Sequence, residues 1–169
     1  MFDFVFKLAS WHLFLLGILT GTTFYTTFVS GIIQFRNLPR HVFGALQARQ
    51  FPVYFMVQAV GSLALAYSSF VLFESKLENF TLTKPFSPAD LNTVFFGLSF
   101  AASLFNYLYI GPKSTQIMFL RHKLNREKID IPSELDRAFS IMHGVSAILN
   151  MMTLFACVYA NFYLGHKLI

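Results

Sequence analysis

Charged side chains leave four long gaps in this chain. No Asp, Glu, Lys or Arg lies between Lys7 and Arg36, Arg49 and Glu74, Asp90 and Lys113, or Arg137 and Lys167. A hydrocarbon core of roughly 30 Å takes about 20 helical residues to cross, and each gap is long enough. The pattern predicts membrane spans at about 9–33, 52–73, 90–110 and 138–164. The expected fold is all-α: an integral membrane four-helix bundle forming a single domain over 1–169, with a short interfacial helix between the first two spans. Segments 34–51 and 111–137 fall on one side of the membrane; the loop 74–89 and both termini fall on the other.

Punctuation residues refine these limits. Asn37-Leu38-Pro39 ends the first span, because the residue before proline is pushed out of helical geometry. Residues 40–50 (RHVFGALQARQ) read as the interfacial helix, and Phe51-Pro52 opens the second span with the proline in its first turn. Ser87 or Asp90 caps the third span, which Gly111-Pro112 is expected to interrupt before a helical extension KSTQIMFLRHKLNREK. Ser133-Glu134 suits the start of the last helix. The N-terminal apolar run is longer than a signal-peptide core and is followed by Arg36 and Arg40, so it is read as a retained first helix.

Polar residues recur within the spans at steps of three and four: Thr20, Thr23, Thr27, Ser30 and Gln34; Gln58, Ser62 and Ser69; Asn92, Ser99, Ser103 and Asn106; His143, Ser146, Asn150, Thr153 and Cys157. Such spacing keeps them on one face of each helix, and lipid cannot solvate them, so the stripes should point inward. They can serve as packing and hydrogen-bonding glue, with Gly17-x-x-x-Gly21 as a close-approach motif, or they can line a polar site. No acidic or basic side chain sits deep in a span, which argues against a carboxylate proton relay or a cation pump.

Charge supplies orientation. Nine of the thirteen Lys and Arg residues lie in the two basic segments (Arg36, Arg40, Arg49, Lys113, Arg121, Lys123, Arg126, Lys128 and Arg137). By the positive-inside rule those segments are expected in the cytosol and both termini in the lumen or outside. The +5 net charge does not point to nucleic acid, because no basic stripe with interleaved aromatics lies outside the spans. One cysteine, Cys157, allows no internal disulfide. The sequon Asn79-Phe80-Thr81 in the lumenal loop is a glycosylation candidate close to the membrane, where poor occupancy is expected.

Five histidines are the candidate metal chemistry. This topology groups His12 with His166 at the lumenal end and His41 with His143 at the cytosolic end; the pair that could hold a metal is His41 and His143, with Met142, Met151, Met152 and Cys157 as nearby soft sulfur. No tight motif such as His-x-x-x-His or Cys-x-x-Cys occurs, so hydrogen bonding at the interface is the alternative role.

Several runs carry a family resemblance. Phe28-Val29-Ser30-Gly31, Leu38-Pro39-Arg40-His41 with Phe43-Gly44, and Phe51-Pro52 with Tyr54-Phe55 resemble the transmembrane protein 205 family, as do Asn106 before Gly111-Pro112 and His143-Gly144 with Ser146 and Asn150. The resemblance spans nearly the whole chain, although segment 111–139 is shorter than in animal members. It implies a four-helix membrane protein without an established biochemical activity, related to platinum-drug resistance in animals and distantly similar in fold to bacterial copper-resistance membrane proteins. Carried over by position, its motif residues are His12, Arg40, His41, Gln47, Pro52, Asn106, Pro112, His143 and Asn150.

Together these readings predict a non-enzymatic multi-spanning endomembrane protein, expected in the endoplasmic reticulum, acting as a scaffold, partner subunit or trafficking factor without a cofactor. Its expected partners are the lipid bilayer and either a membrane protein or a second copy of itself. The alternative is a transporter or binder of a soft metal such as copper, or of haem. A lipid- or isoprenoid-directed enzyme is disfavoured, since no acid/base pair or nucleophile constellation is legible.

Overall fold

Proline ends the first helix where expected. Leu38 turns extended (φ −109°, ψ 142°) ahead of Pro39, while its N–H still bonds the Gln34 carbonyl at 3.0 Å. The computed structural model describes residues 7–73 and 87–167 and contains four long helices: α1 (Leu8–Asn37), α2 (Arg40–Leu72), α3 (Pro88–Arg126) and α4 (Ser133–Lys167). All four are apolar enough to cross a bilayer, and no strand occurs among the described residues. The start of α3 is a reciprocal capping box: the Asp90 N–H donates to Ser87 Oγ (3.1 Å) and the Ser87 N–H to Asp90 Oδ2 (3.2 Å). Ser87 and Asp90 therefore cap together. Asn79 lies outside the described residues.

The helices form a ring in which every neighbour is antiparallel. His12 meets Ser68 and Thr23 meets Gln58 across α1 and α2. Phe55 lies by Gly111, and Gly44 by Met118 and His122, across α2 and α3, the most extensive interface. Ser103 meets Thr153 and Asn106 meets Ser146 across α3 and α4. Thr20 meets Asn161 and Thr27 meets Asn150 to close the ring. This is the all-α four-helix bundle that the apolar gaps predict.

Two expected breaks are absent. Residues 40–50 form no separate interfacial helix; they are the first turns of α2, which runs unbroken through Pro52. Tertiary contacts hold this segment in line: Phe43 packs edge-on against Phe35 (5.7 Å), Gln47 bonds Gln34, and Gly44 lies beneath His122. Proline inside a membrane helix is tolerated when neighbouring groups secure the backbone around it. Gly111-Pro112 does not interrupt α3 either. The helix instead widens to i→i+5 bonding over Asn106–Ile110 and resumes at Gly111. A widened turn leaves one carbonyl without a donor, and proline, having no N–H, suits the position where that donor would stand. A second widened turn occupies Tyr25–Ser30 in α1.

Packing inverts the polarity of a water-soluble protein. Gln58, Asn106, Thr23 and Ser99 are 0% exposed, whereas Phe162 is 77% and Phe155 69% exposed. Leu16, Leu19, Leu65, Phe96, Ala156, Cys157 and Ala160 form an apolar layer in the half nearer the chain ends. Nearly every polar stripe residue faces inward. His143 is the exception, for a geometric reason. A 3.5-residue repeat on a straight helix drifts by about 20° per heptad. Along α4 the stripe accordingly passes from buried Cys157 and Thr153 through half-buried Asn150 and Ser146 to exposed His143.

Gly17 and Gly21 correct another expectation. At about 100° per residue they fall opposite the buried face of α1 (His12, Leu16, Leu19 and Thr23). Both are exposed, and a Cβ at either would meet nothing within 4 Å. They do not pack the bundle.

Candidate functional site

Three helices place their polar faces at one depth and build a closed hydrogen-bond network. Tyr54 and Gln58 stand one turn apart on α2, Thr23 and Thr27 likewise on α1, and Asn150 faces them from α4. The Tyr54 hydroxyl donates to Asn150 Oδ1 at 2.5 Å. Gln58 Nε2 lies within reach of Asn150 Oδ1 (2.8 Å), Tyr54 Oη (2.9 Å) and Thr23 Oγ1 (3.3 Å). Asn150 Nδ2 donates to Thr27 Oγ1 at 2.8 Å. On the fourth helix, Asn106 opens the widened turn of α3 and donates through Nδ2 to the Ser146 carbonyl at 3.2 Å. Away from water each of these bonds replaces an otherwise unsolvated group, so the network fixes the rotation of the helices about their axes.

A second polar cluster lies towards the basic end. Gln47 donates to Gln34 Oε1 at 2.6 Å, and Gln34 Nε2 reaches Ser30 Oγ at 2.7 Å and Gln50 Oε1 at 3.3 Å. Near the opposite end, His12 Nδ1 lies 2.7 Å from Ser68 Oγ. The serine hydroxyl has carbonyl acceptors of its own, Ala64 O at 2.8 Å and Leu65 O at 3.2 Å, so the imidazole Nδ1–H is the donor. Nε2 is then a bare lone pair, 2% exposed as a residue and without a hydrogen-bond partner.

The sequence candidates thus separate. Gln47, Asn106 and Asn150 lie in the polar interior, and His12 is buried against Ser68 and the edge of Phe73. Arg40 and His41 are exposed at the start of α2. His143 is also exposed and stacks on Phe139 one turn earlier, with ring centroids 6.0 Å apart. His41 has His122 as its histidine neighbour, because Gly44, one turn on from His41, lies beneath that ring. His166 is exposed near the end of α4, whereas His12 is buried. Among the described residues no three His, Cys, Asp or Glu side chains converge as a metal site. Tyr54 and Gln50 belong to these polar clusters although the spacing of the polar stripes does not include them. Tyr54 counts as aromatic bulk, yet its place one turn before Gln58 was the signal that its hydroxyl points inward.

The fold and its polar interior define a multi-pass integral membrane protein whose spans are joined inside the bundle by amides and hydroxyls, with the Arg121–Asp136 ion pair (2.6 Å) linking α3 to α4 outside it. The profile of a family described as a domain of unknown function (DUF4149) matches residues 14–123, and the chain belongs to that family. No solved structure matches it.

Proposed function

We propose that this protein is a non-catalytic partner subunit or scaffold of the endomembrane system, placed in the endoplasmic reticulum with both termini lumenal. The observation that carries the reading is the small-residue step on α1. Gly17 and Gly21 stand one turn apart on an outward face, with exposed Phe14, Ile18 and Phe28 beside them. Small-xxx-small steps let another transmembrane helix approach closely, and association in lipid depends on such packing. The glycines serve no contact within the bundle, which leaves a helix of a partner membrane protein, or of a second copy, to use them. The resemblance to the transmembrane protein 205 family implies a four-helix membrane protein without an established biochemical activity, and names no reaction for this chain.

The test replaces both glycines, Gly17→Ile with Gly21→Ile, and compares co-purification after mild solubilisation. The partner reading expects recovery of the associated protein or dimer to fall roughly tenfold, about 1.4 kcal/mol of association, while thermal stability is retained. A monomer without a partner before and after substitution sinks it. Protease protection in sealed microsomes checks the orientation: the 111–137 segment should be cleaved from the cytosolic side.

The buried lone pair of His12 favours a second reading, a binder of a soft metal ion or of haem. Loading the purified protein with Cu(I) or haemin, followed by metal analysis and absorbance spectroscopy, decides it. Stoichiometric uptake that His12→Ala abolishes would support this reading; no uptake by wild type would end it. His41 and His143, the metal pair expected from sequence, are exposed at the opposite end of the bundle from His12 and take no part in this second reading.

A further inference from the structure

Unpartnered polar atoms in the bundle share one chemical character. Among the described residues six buried side-chain atoms have no hydrogen-bond partner: His12 Nε2, Gln58 Oε1, Asn92 Oδ1, Asn106 Oδ1, Ser62 Oγ and Ser69 Oγ. The amide oxygens can only accept, the imidazole nitrogen is a lone pair, and the two hydroxyls can accept. The hydroxyls can also donate, but among these atoms acceptor lone pairs outnumber donor hydrogens.

Three of these atoms lie within about one helical turn of each other along the bundle. Phe55 lies beside Gly111 and Gly44 beside His122, so antiparallel pairing of α2 and α3 brings Asn106 level with Gln58, and Ser62 is one turn further along. Gln58, Asn106 and Ser62 are each 0% exposed. The widened turn of α3 begins at this level, and that of α1 starts two residues beyond Thr23, a Gln58 partner. Widened turns of this kind concentrate at functional sites. On the side of the chain ends these atoms are bounded by the apolar layer around Leu65 and Phe96. On the other side, Asn150, Thr27, Ser30 and Gln34 continue the polar lining towards the basic end.

We infer that Gln58 Oε1, Asn106 Oδ1 and Ser62 Oγ form a buried, dead-end site for a small hydrogen-bond donor, entered from the basic end of the bundle. Anions are disfavoured, because two of the three atoms are amide oxygens, which can only accept. Apolar solutes would leave the acceptors desolvated and unpaired, which is costly in lipid. The fitting chemistry is a compact O–H or N–H donor, with water and ammonium as its two sources. Buried water bridges groups of this kind elsewhere, with about three hydrogen bonds each.

Ser62→Ala gives a test with opposite signs. In an empty site Ser62 is an unpaired buried hydroxyl, and its removal leaves thermal stability unchanged or raised. In an occupied site it removes a bond to the guest, and Tm falls by several degrees. The measurement uses the full chain in lipid nanodiscs, with Gly17→Ala as a control remote from the site. Solid-state NMR in liposomes then reads transfer from water protons to the Gln58 and Asn106 side-chain amides, and Tm is followed in ammonium chloride against sodium chloride. Water transfer without an ammonium-specific shift identifies water; an ammonium-specific rise in Tm that Ser62→Ala removes identifies ammonium. Absence of both, with an unchanged or raised Tm for Ser62→Ala, overturns the site.

Discussion

Asn150→Leu is expected to destabilise the bundle more than any other single substitution in the polar interior. Its side chain accepts from Tyr54 Oη and Gln58 Nε2 and donates to Thr27 Oγ1, tying α4 to α1 and α2. Leucine is similar in size, so the loss falls on the hydrogen bonds and not on volume. Interhelical bonds in lipid average about 0.6 kcal/mol, and leaving buried partners unsatisfied adds roughly 1–3 kcal/mol. The sum is about 2–4 kcal/mol, or a fall in Tm of roughly 5–15 °C for a chain of this size. Tyr54→Phe should cost only about 1 kcal/mol, because Gln58 and Asn150 still bond each other. Thermal unfolding in nanodiscs measures both. An Asn150→Leu protein melting within about 2 °C of wild type would show that the network does not hold the helices together.

Gly111→Ala is the second large effect, and its cause is backbone. The Gly111 N–H bonds the Asn106 carbonyl across the widened turn, and a Cβ at Gly111 would stand 2.8 Å from that same oxygen. No side-chain rotation relieves a clash with a carbonyl. The turn must reshape, carrying Asn106 away from the Ser146 carbonyl. Overpacking of this kind costs about 1–3 kcal/mol. Two other glycines calibrate the result. At Gly31 the Cβ would lie 3.2 Å from the Thr26 carbonyl, a milder conflict, and at Gly17 it would meet nothing within 4 Å. Gly17→Ala should be neutral or stabilising by up to about 1 kcal/mol, since alanine loses less backbone freedom in a helix. The expected order of Tm is therefore Gly17→Ala highest, then Gly31→Ala, then Gly111→Ala. Any other order would place the constraint somewhere other than the widened turns.

Much of the candidate site was legible because lipid imposes a simple rule. Thr23, Gln58, Asn106 and Asn150 occur at helical spacing in spans that cannot solvate them, so their burial follows from sequence. Their partners do not. Tyr54 joins Gln58 and Asn150 because of the rotation and depth at which α2 and α4 pack, which one strand of sequence does not encode locally. His143 carries the same spacing as Asn150, yet accumulated drift turns it outward. The histidine grouping is incomplete for a related reason: topology puts His41 and His143 at the same end, and α3, extending past the core, adds His122 over Gly44.

By itself the sequence determined the number of spans, their alternation and the polarity of their inner faces, because hydrocarbon thickness and the cost of unsolvated polar groups act on each helix separately. Only the tertiary structure decided which amides meet, that α2 runs through Pro52, that α3 widens before Pro112, and that Gly17 and Gly21 face out. Those outcomes depend on the axial rotation and register of each helix against its neighbours, and it is packing between helices that sets both.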